Sequence, residues 1–232
     1  KLLHILKITE ADQIMANEYP LFNKVPEIAL LSLLKELTSI NHLAICDKYL
    51  LKYVEEDINF DCKKLSVIVN RDVNLAVKYA LKVKPKSLAV RVSLGASGTL
   101  EALSNFSSCL RELILEPKMR EGCFSGLKHL SKCSLTHLTI KTSEHDCRPT
   151  EYPDILEKLL VFAASQPLEV FTFRDLRVSK VKKTTASFTK SITQILSNFF
   201  ETPTIKQNLK KLDLHFSLWK GLQSSINTLL AP

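Results

Sequence analysis

A short apolar phrase, L-x-x-L-x-L, returns eight times along this chain and limits what it can fold into more than any other feature. The clearest copies are Leu110/Leu113/Leu115, Leu135/Leu138/Ile140 and Leu209/Leu212/Leu214. Weaker ones are Leu3/Leu6/Ile8, Ile40/Leu43/Ile45, Cys62/Leu65/Val67, Pro85/Leu88/Val90 and Leu168/Phe171/Phe173. The L-x-L half has period two, so its apolar residues face one side of a strand and the residues between them face the other. The stretches between phrases carry the helical period instead. In DVNLAVKYALK (72–82), Val73, Leu75, Ala76, Tyr79 and Ala80 share a stripe. In TEYPDILEKLLVFAA (150–164) the stripe is Ile155, Leu159 and Phe162, with Pro153 early in the helix, where a missing N–H does least harm.

The phrases begin at residues 3, 40, 62, 85, 110, 135, 168 and 209, so successive copies lie 37, 22, 23, 25, 25, 33 and 41 residues apart. The middle of the chain is near-regular and the ends carry insertions. Each strand-turn-helix unit has an apolar face that it cannot bury alone, and stacked neighbours bury it. Phrase and period resemble those of leucine-rich repeats. The resemblance implies an α/β leucine-rich repeat solenoid of about eight irregular repeats, with a parallel sheet on the concave face and helices on the convex face. At this length such a stack forms a single domain over 1–232. Leucine-rich repeats often place Asn or Cys three residues beyond the phrase, bonding the turn between repeats. Asn70 takes that place, but its equivalents Ala11, Lys48, Ser93, Lys118, Ser143, Leu176 and Ser217 do not match, so an asparagine ladder is largely absent and helix packing must supply the cohesion. Because LLHILKI opens almost inside a strand, leaving an uncapped apolar end, the chain is expected to be a fragment of a longer protein.

Composition narrows the function. Hydrophobic residues make up 45% of the chain, enough for a continuous core, and only five glycines disfavour phosphate cradles. The longest apolar run, IALLSLL (28–34), falls far short of a membrane span, so no membrane partner is expected. The six cysteines keep no fixed offset to the repeat and form no terminal cluster, which fits a reducing compartment, cytoplasmic or nuclear. Cys123, His129, Cys133, His137, His145 and Cys147 superficially resemble a metal box but include no close C-x-x-C pair, so no metal is expected. Nor does the chain contain a G-x-S-x-G elbow, a phosphate loop, H-E-x-x-H or G-x-G-x-x-G. SLGASGTL (93–100) reads as a turn with Ser97 or Thr99 as N-cap. Neither enzyme activity nor a cofactor is expected.

The residues between the phrase leucines are the candidate binding surface. On the concave face they include Arg91, Glu112, Glu116, His137, Lys141, Arg174, Lys211 and Asp213. Mixed charge on a fixed scaffold suits a protein partner, which it orients more than it tightens. The net charge of +8 is spread over helices and turns, with one dense patch in a basic loop with Arg177, Lys180, Lys182 and Lys183. A solvated loop accounts for that run; nucleic acid, the sharper alternative, gains from interleaved aromatics, and only Phe188 lies close.

LRELILEPK, LTHLTIKTS and LKKLDLHFS, with helices between them, are similar to the ribonuclease-inhibitor-like class of intracellular leucine-rich repeats. Membership would imply a non-catalytic protein-protein interaction domain. Spacings of 22 to 41 favour the substrate-recognition module of a receptor such as a cullin-linked ubiquitin ligase receptor over the regular arrays of NOD-like immune sensors. FNKVPEIALLSLLKEL (22–37) has an apolar helix after a proline, as an F-box opening does, but its place between two phrases fits an inter-repeat helix better. The alternatives are the NOD-like sensor domain and a basic-patch binder of nucleic acid or acidic surfaces.

Overall fold

The computed structural model of the chain describes residues 10–16, 39–46, 61–69, 73–92, 100–119, 123–142, 144–145, 148, 150–175, 182–183, 185–216, 219–220 and 222. The chain is α/β, and all its described strand pairs are parallel. Two compact units make it up, Lys1–Arg111 and Glu112–Pro232.

The first unit holds strands β1 (Glu10–Ala16), β2 (Ser39–Cys46), β3 (Asp61–Val69) and β4 (Ser87–Val92), helix α1 (Val73–Val83) and the short helix α2 (Leu100–Leu103). Phrase lies opposite phrase without offset: Ile40, Leu43 and Ile45 pair with Cys62, Leu65 and Val67, and Leu65 and Val67 with Leu88 and Val90. Parallel neighbours need a crossover, and between β3 and β4 it is α1. Its buried stripe is Val77, Tyr79, Ala80 and Val83; Leu75, expected on it, is only half-buried, and Val73 and Ala76 lie outside the residues whose side chains are described. Lys84 closes the helix, its N–H donating to the Ala80 carbonyl at 2.8 Å with φ at 50°. Next, the Lys86 N–H donates to the Cys62 carbonyl at 3.1 Å and seats β4 beside β3.

The first strand departs from the sequence expectation. Leu3, Leu6 and Ile8 lie outside the described residues, and the strand that pairs with β2 is Glu10–Ala16. Ala11 and Ile14 stand opposite Ile40 and Leu43, and Ala16 opposite Ile45. The phrase is thus A-x-x-I-x-A, weak in hydrophobicity but in register, and it begins 29 residues before Ile40 rather than 37. Ala11, assigned to a turn by the earlier spacing, is a strand residue.

In the second unit are β5 (Leu110–Leu115, whose first two residues precede the boundary), β6 (Lys118–Met119), β7 (His137–Thr142), β8 (Glu144–His145), α3 (Tyr152–Ala164), β9 (Val170–Asp175), β10 (Lys182–Lys183), α4 (Ala186–Glu201), α5 (Pro203–Asn208), β11 (Lys211–Phe216) and β12 (Trp219–Lys220). The ladder runs β5-β7-β9-β11, again without offset: Leu113–Leu138–Phe171–Leu212 form one row and Leu115–Ile140–Phe173–Leu214 the next. Phrase spacing decides what fills each crossover. The 25 residues from Leu110 to Leu135 leave room for the 3-10 segment Ser125–Leu130, and the longer spacings that follow hold α3 and then α4 with α5.

The caps follow local chemistry. Pro153 sits in the first turn of α3. Thr185 caps α4, its Oγ1 accepting from the Phe188 N–H at 3.2 Å. Thr202 is extended (ψ 128°) because Pro203 follows, and this breaks α4 from α5. The core packs between sheet and helices, with the Phe171 ring 5.4 Å from that of Phe199 on α4 and Phe173 5.1 Å from Phe216. Leu212 and Leu214 are only half-buried, since β11 ends the ladder among the described residues. Among those residues no helix is long and apolar enough to cross a membrane.

Candidate functional site

Period-two alternation places the candidate residues. In β5, β7 and β9, Leu113, Leu138, Ile140, Phe171 and Phe173 are fully buried. The residues between them stand on the face away from Phe199 and α4, all but the buried Thr172 at least partly exposed. Register assembles that face into rows. Glu112, His137, Val170 and Lys211 form the first, and Ile114, Thr139, Thr172 and Asp213 the second. Lys141, Arg174 and His215 form the third, with Glu116 just past the end of β5. Seven of the eight expected face residues therefore belong to the second unit, six on its strands and Glu116 just past β5. Arg91 belongs to the first unit, on the side of β4 shared by Ser87 and Ala89.

The charges on this face are ordered by strand. Acid lies on and just after β5, as Glu112 and Glu116, and base at the C-terminal ends of β7 and β9, as Lys141 and Arg174. Arg174 donates from Nε, at 2.8 Å, and from Nη2 to Asp213 Oδ2 on the neighbouring strand. Both side chains are partly exposed, so the pair contributes no more than about 1 kcal/mol to stability and mainly fixes where the guanidinium sits. Lys210 and Glu169, each one residue before its strand, make a second ion pair at 3.0 Å. The Thr136 hydroxyl lies 3.0 Å from His137 Nδ1 and holds the ring. In the first unit, His42 Nε2 meets the Ser66 hydroxyl at 2.8 Å across β2 and β3.

Of the basic loop, Arg177 and Lys180 lie outside the described residues. Lys182 and Lys183 form the short strand β10, whose backbone pairs with β12, Lys182 opposite Trp219 and Lys183 opposite Lys220. Phe188, the aromatic expected near this loop, is buried against Tyr152 at 6.0 Å and cannot stack on a ligand.

Sequence reasoning missed the buried polar groups of the second unit. Thr142 and Asp175 face each other in register at the ends of β7 and β9, both almost fully buried. The Tyr152 hydroxyl donates to Asp175 Oδ2 at 2.9 Å. Gln166 is also buried, its Oε1 accepting from the Leu135 N–H at 3.2 Å. Thr142 and Asp175 thus stand one residue earlier than the asparagine position the sequence had singled out, while Asn70 itself lies outside the described residues.

Four described cysteines, Cys62, Cys109, Cys123 and Cys133, are in no disulfide. Burial pushes the Cys62 thiol up to about 11, against weaker opposing bonds with the backbone of Leu43 and Lys64. It also raises that of Cys109, the Arg111 charge partly offsetting it. Protonated, buried thiols are poor nucleophiles and poor ligands. Among the described residues no three His, Cys, Asp or Glu side chains group closely enough to hold a metal ion; Cys147 and the Gly95–Gly98 turn lie outside them. No protein-family model matches the sequence, and no curated protein or solved structure matches it.

Proposed function

We propose that the chain is a non-catalytic protein-interaction domain, a leucine-rich repeat solenoid of the ribonuclease-inhibitor-like class, whose strand face of Glu112, Glu116, His137, Lys141, Arg174, Lys211 and Asp213 holds a protein partner. The carrying observation is that the phrases of the second unit pair from β5 through β11 without offset, so that one period-two pattern separates an apolar row, fully buried on β5, β7 and β9, from a row of mixed charge. A strand face is a stiff platform, and fixed charges of both signs select the orientation of a partner and reject wrong ones. Acid along β5 and base along β7 and β9 call for a partner with the reverse polarity.

Within that class the irregular spacing favours the substrate-recognition module of a larger receptor such as a cullin-linked ubiquitin ligase receptor, working in a reducing compartment where the thiols stay free. Affinity capture with the wild-type chain and with the triple variant Glu112→Lys, Glu116→Lys, Arg174→Glu tests both levels. The proposal expects a protein retained by the wild type and lost by the variant, with the variant still folded by circular dichroism, since all three residues are at least partly exposed and the Arg174–Asp213 pair that is lost contributes no more than about 1 kcal/mol. Recovery of cullin adaptors with the wild type supports the ligase reading. Identical captures by the two proteins remove the face.

A second reading draws on one observation. The pairing of Lys182–Lys183 with Trp219–Lys220 brings an aromatic residue and a third lysine beside the basic segment, a combination that suits single-stranded nucleic acid. Affinity for an oligonucleotide falling steeply with salt and lost in Trp219→Ala would favour it over the protein partner.

A further inference from the structure

We propose that the exit of α1 in the first unit is a docking surface for an anionic lipid membrane. The sequence expectation of no membrane partner rested on the lack of a spanning segment, and adsorption needs none. Leu81 is 51% exposed, one of two large hydrophobic side chains so exposed among the described residues. The helix has no need of it, since Val77, Tyr79, Ala80 and Val83 already fill the buried stripe. At helical spacing, Leu81 lies on one outer stripe with Lys78 and Lys82. Lys84 and Lys86 follow at the helix exit, both exposed. Through the Lys86 N–H bond to the Cys62 carbonyl, exposed Lys63 on β3 stands beside Lys86. From Lys78 to Lys86 the chain has four lysines and no acid, and exposed Asp61, on the other side of Cys62 from Lys63, is the acid at the edge of the patch.

Lys82 in the last turn has an ordinary explanation, because a cation there complements the helix dipole. Lys84 does not. Its φ of 50° makes it the one non-glycine residue with positive φ among those described, at a helix-end position where glycine is the unstrained choice. A lysine held there against its backbone preference points to a use for its charge.

The chemistry of the patch selects the partner. A protein interface of this kind is enriched in arginine and aromatics and depleted in lysine. A single-stranded nucleic acid calls for stacking rings, and the tyrosine of α1, Tyr79, is fully buried. Here lysines surround one exposed leucine, which fits a diffuse plane of negative headgroups with an apolar layer beneath. Each lysine at such a surface contributes about 1 kcal/mol, or about fivefold in partition.

Cosedimentation of the full chain with phosphatidylcholine vesicles, with and without about 30% phosphatidylserine, tests this. The wild type should partition onto the anionic vesicles and not the neutral ones, less so as salt rises. Lys84→Gln with Lys86→Gln should lower partition roughly 25-fold. Leu81→Ser should lower it by itself about fivefold, the share of a half-exposed leucine moving into the interface. Lys84→Gly should weaken binding about fivefold while raising the thermal midpoint, which separates lost charge from lost fold. Equal binding to both vesicle types, or lysine variants that bind like the wild type, overturns the proposal. So does a Leu81→Ser variant with unchanged partition, which would assign the lysines to a soluble polyanion such as nucleic acid or an acidic peptide.

Discussion

Replacing Phe171 with alanine puts the register of the second unit at risk in a single step. The side chain is fully buried, stands in register between Leu138 and Leu212, and packs 5.4 Å from the Phe199 ring. Truncation removes about 2 kcal/mol of apolar transfer energy. It also opens a void of the order of 100 Å³, which at about 24 cal/mol per Å³ adds up to about 2 kcal/mol where the site fails to collapse. The expected loss is therefore roughly 3–5 kcal/mol, the aromatic contact with Phe199 included. The control is its neighbour Val170, half-exposed on the opposite face, where alanine should cost less than about 1 kcal/mol. Urea denaturation followed by circular dichroism reads both. A slip of one residue would turn Val170 inward and Phe171 outward, so equal losses, or a larger loss at Val170, would refute the assignment.

Three further outcomes follow from single side chains. Tyr152→Phe should cost about 1–3 kcal/mol, because it removes a donor from the buried Asp175 carboxyl group and leaves its volume almost unchanged; a loss below about 0.5 kcal/mol in urea titrations would show that the bond contributes little. The Cys62 thiol, raised from 9.0 to about 11, keeps its proton in the folded state after the unfolded chain has lost it. Its contribution is fully present below pH 9.0 and is lost as the pH rises to about 11, with a magnitude of the order of 2 kcal/mol. Urea midpoints on either side of that window should fall more in the wild type than in Cys62→Ala, and parallel falls would contradict the assignment. Lys84→Gly should raise stability by roughly 0.5–1 kcal/mol, the relief of a left-handed residue less the greater freedom of glycine in the unfolded chain. A lower thermal midpoint for this variant would mean that the lysine stem packs favourably.

What the sequence made legible follows from the physics of alternation. Apolar residues two apart define a strand face wherever they stand near turn residues, so the phrases from Ile40 to Leu214 find their partners by pattern alone. The first strand escaped because its apolar positions are Ala11, Ile14 and Ala16, poorer in hydrophobicity than nearby Leu3, Leu6 and Ile8; its partner strand reveals it. Tyr152 and Asp175 are 23 residues apart, and Leu135 and Gln166 are 31 apart, so no local pattern announces either bond. The helical period likewise misjudged Leu75, because a short crossover turns only part of its stripe toward the sheet. Leu81 stands off the helical stripe read from the sequence, but so does Val77, which is buried, so the sequence does not separate Leu81 from a core residue. It reads as one more apolar residue in a helix, and only the burial of Val77, Tyr79, Ala80 and Val83 shows that the core is complete without it.

Whether the mixed-charge strand face holds a protein partner is read most simply by site-specific photo-crosslinking. A crosslinking residue at Thr139, in the middle row of the face, is compared with one at Ser191, exposed on α4 away from it. A discrete protein adduct is expected in cells from Thr139, absent from Ser191 and lost when Glu112, Glu116 and Arg174 are charge-reversed. Adducts from Ser191 alone, or a Thr139 adduct indifferent to those charges, would contradict it.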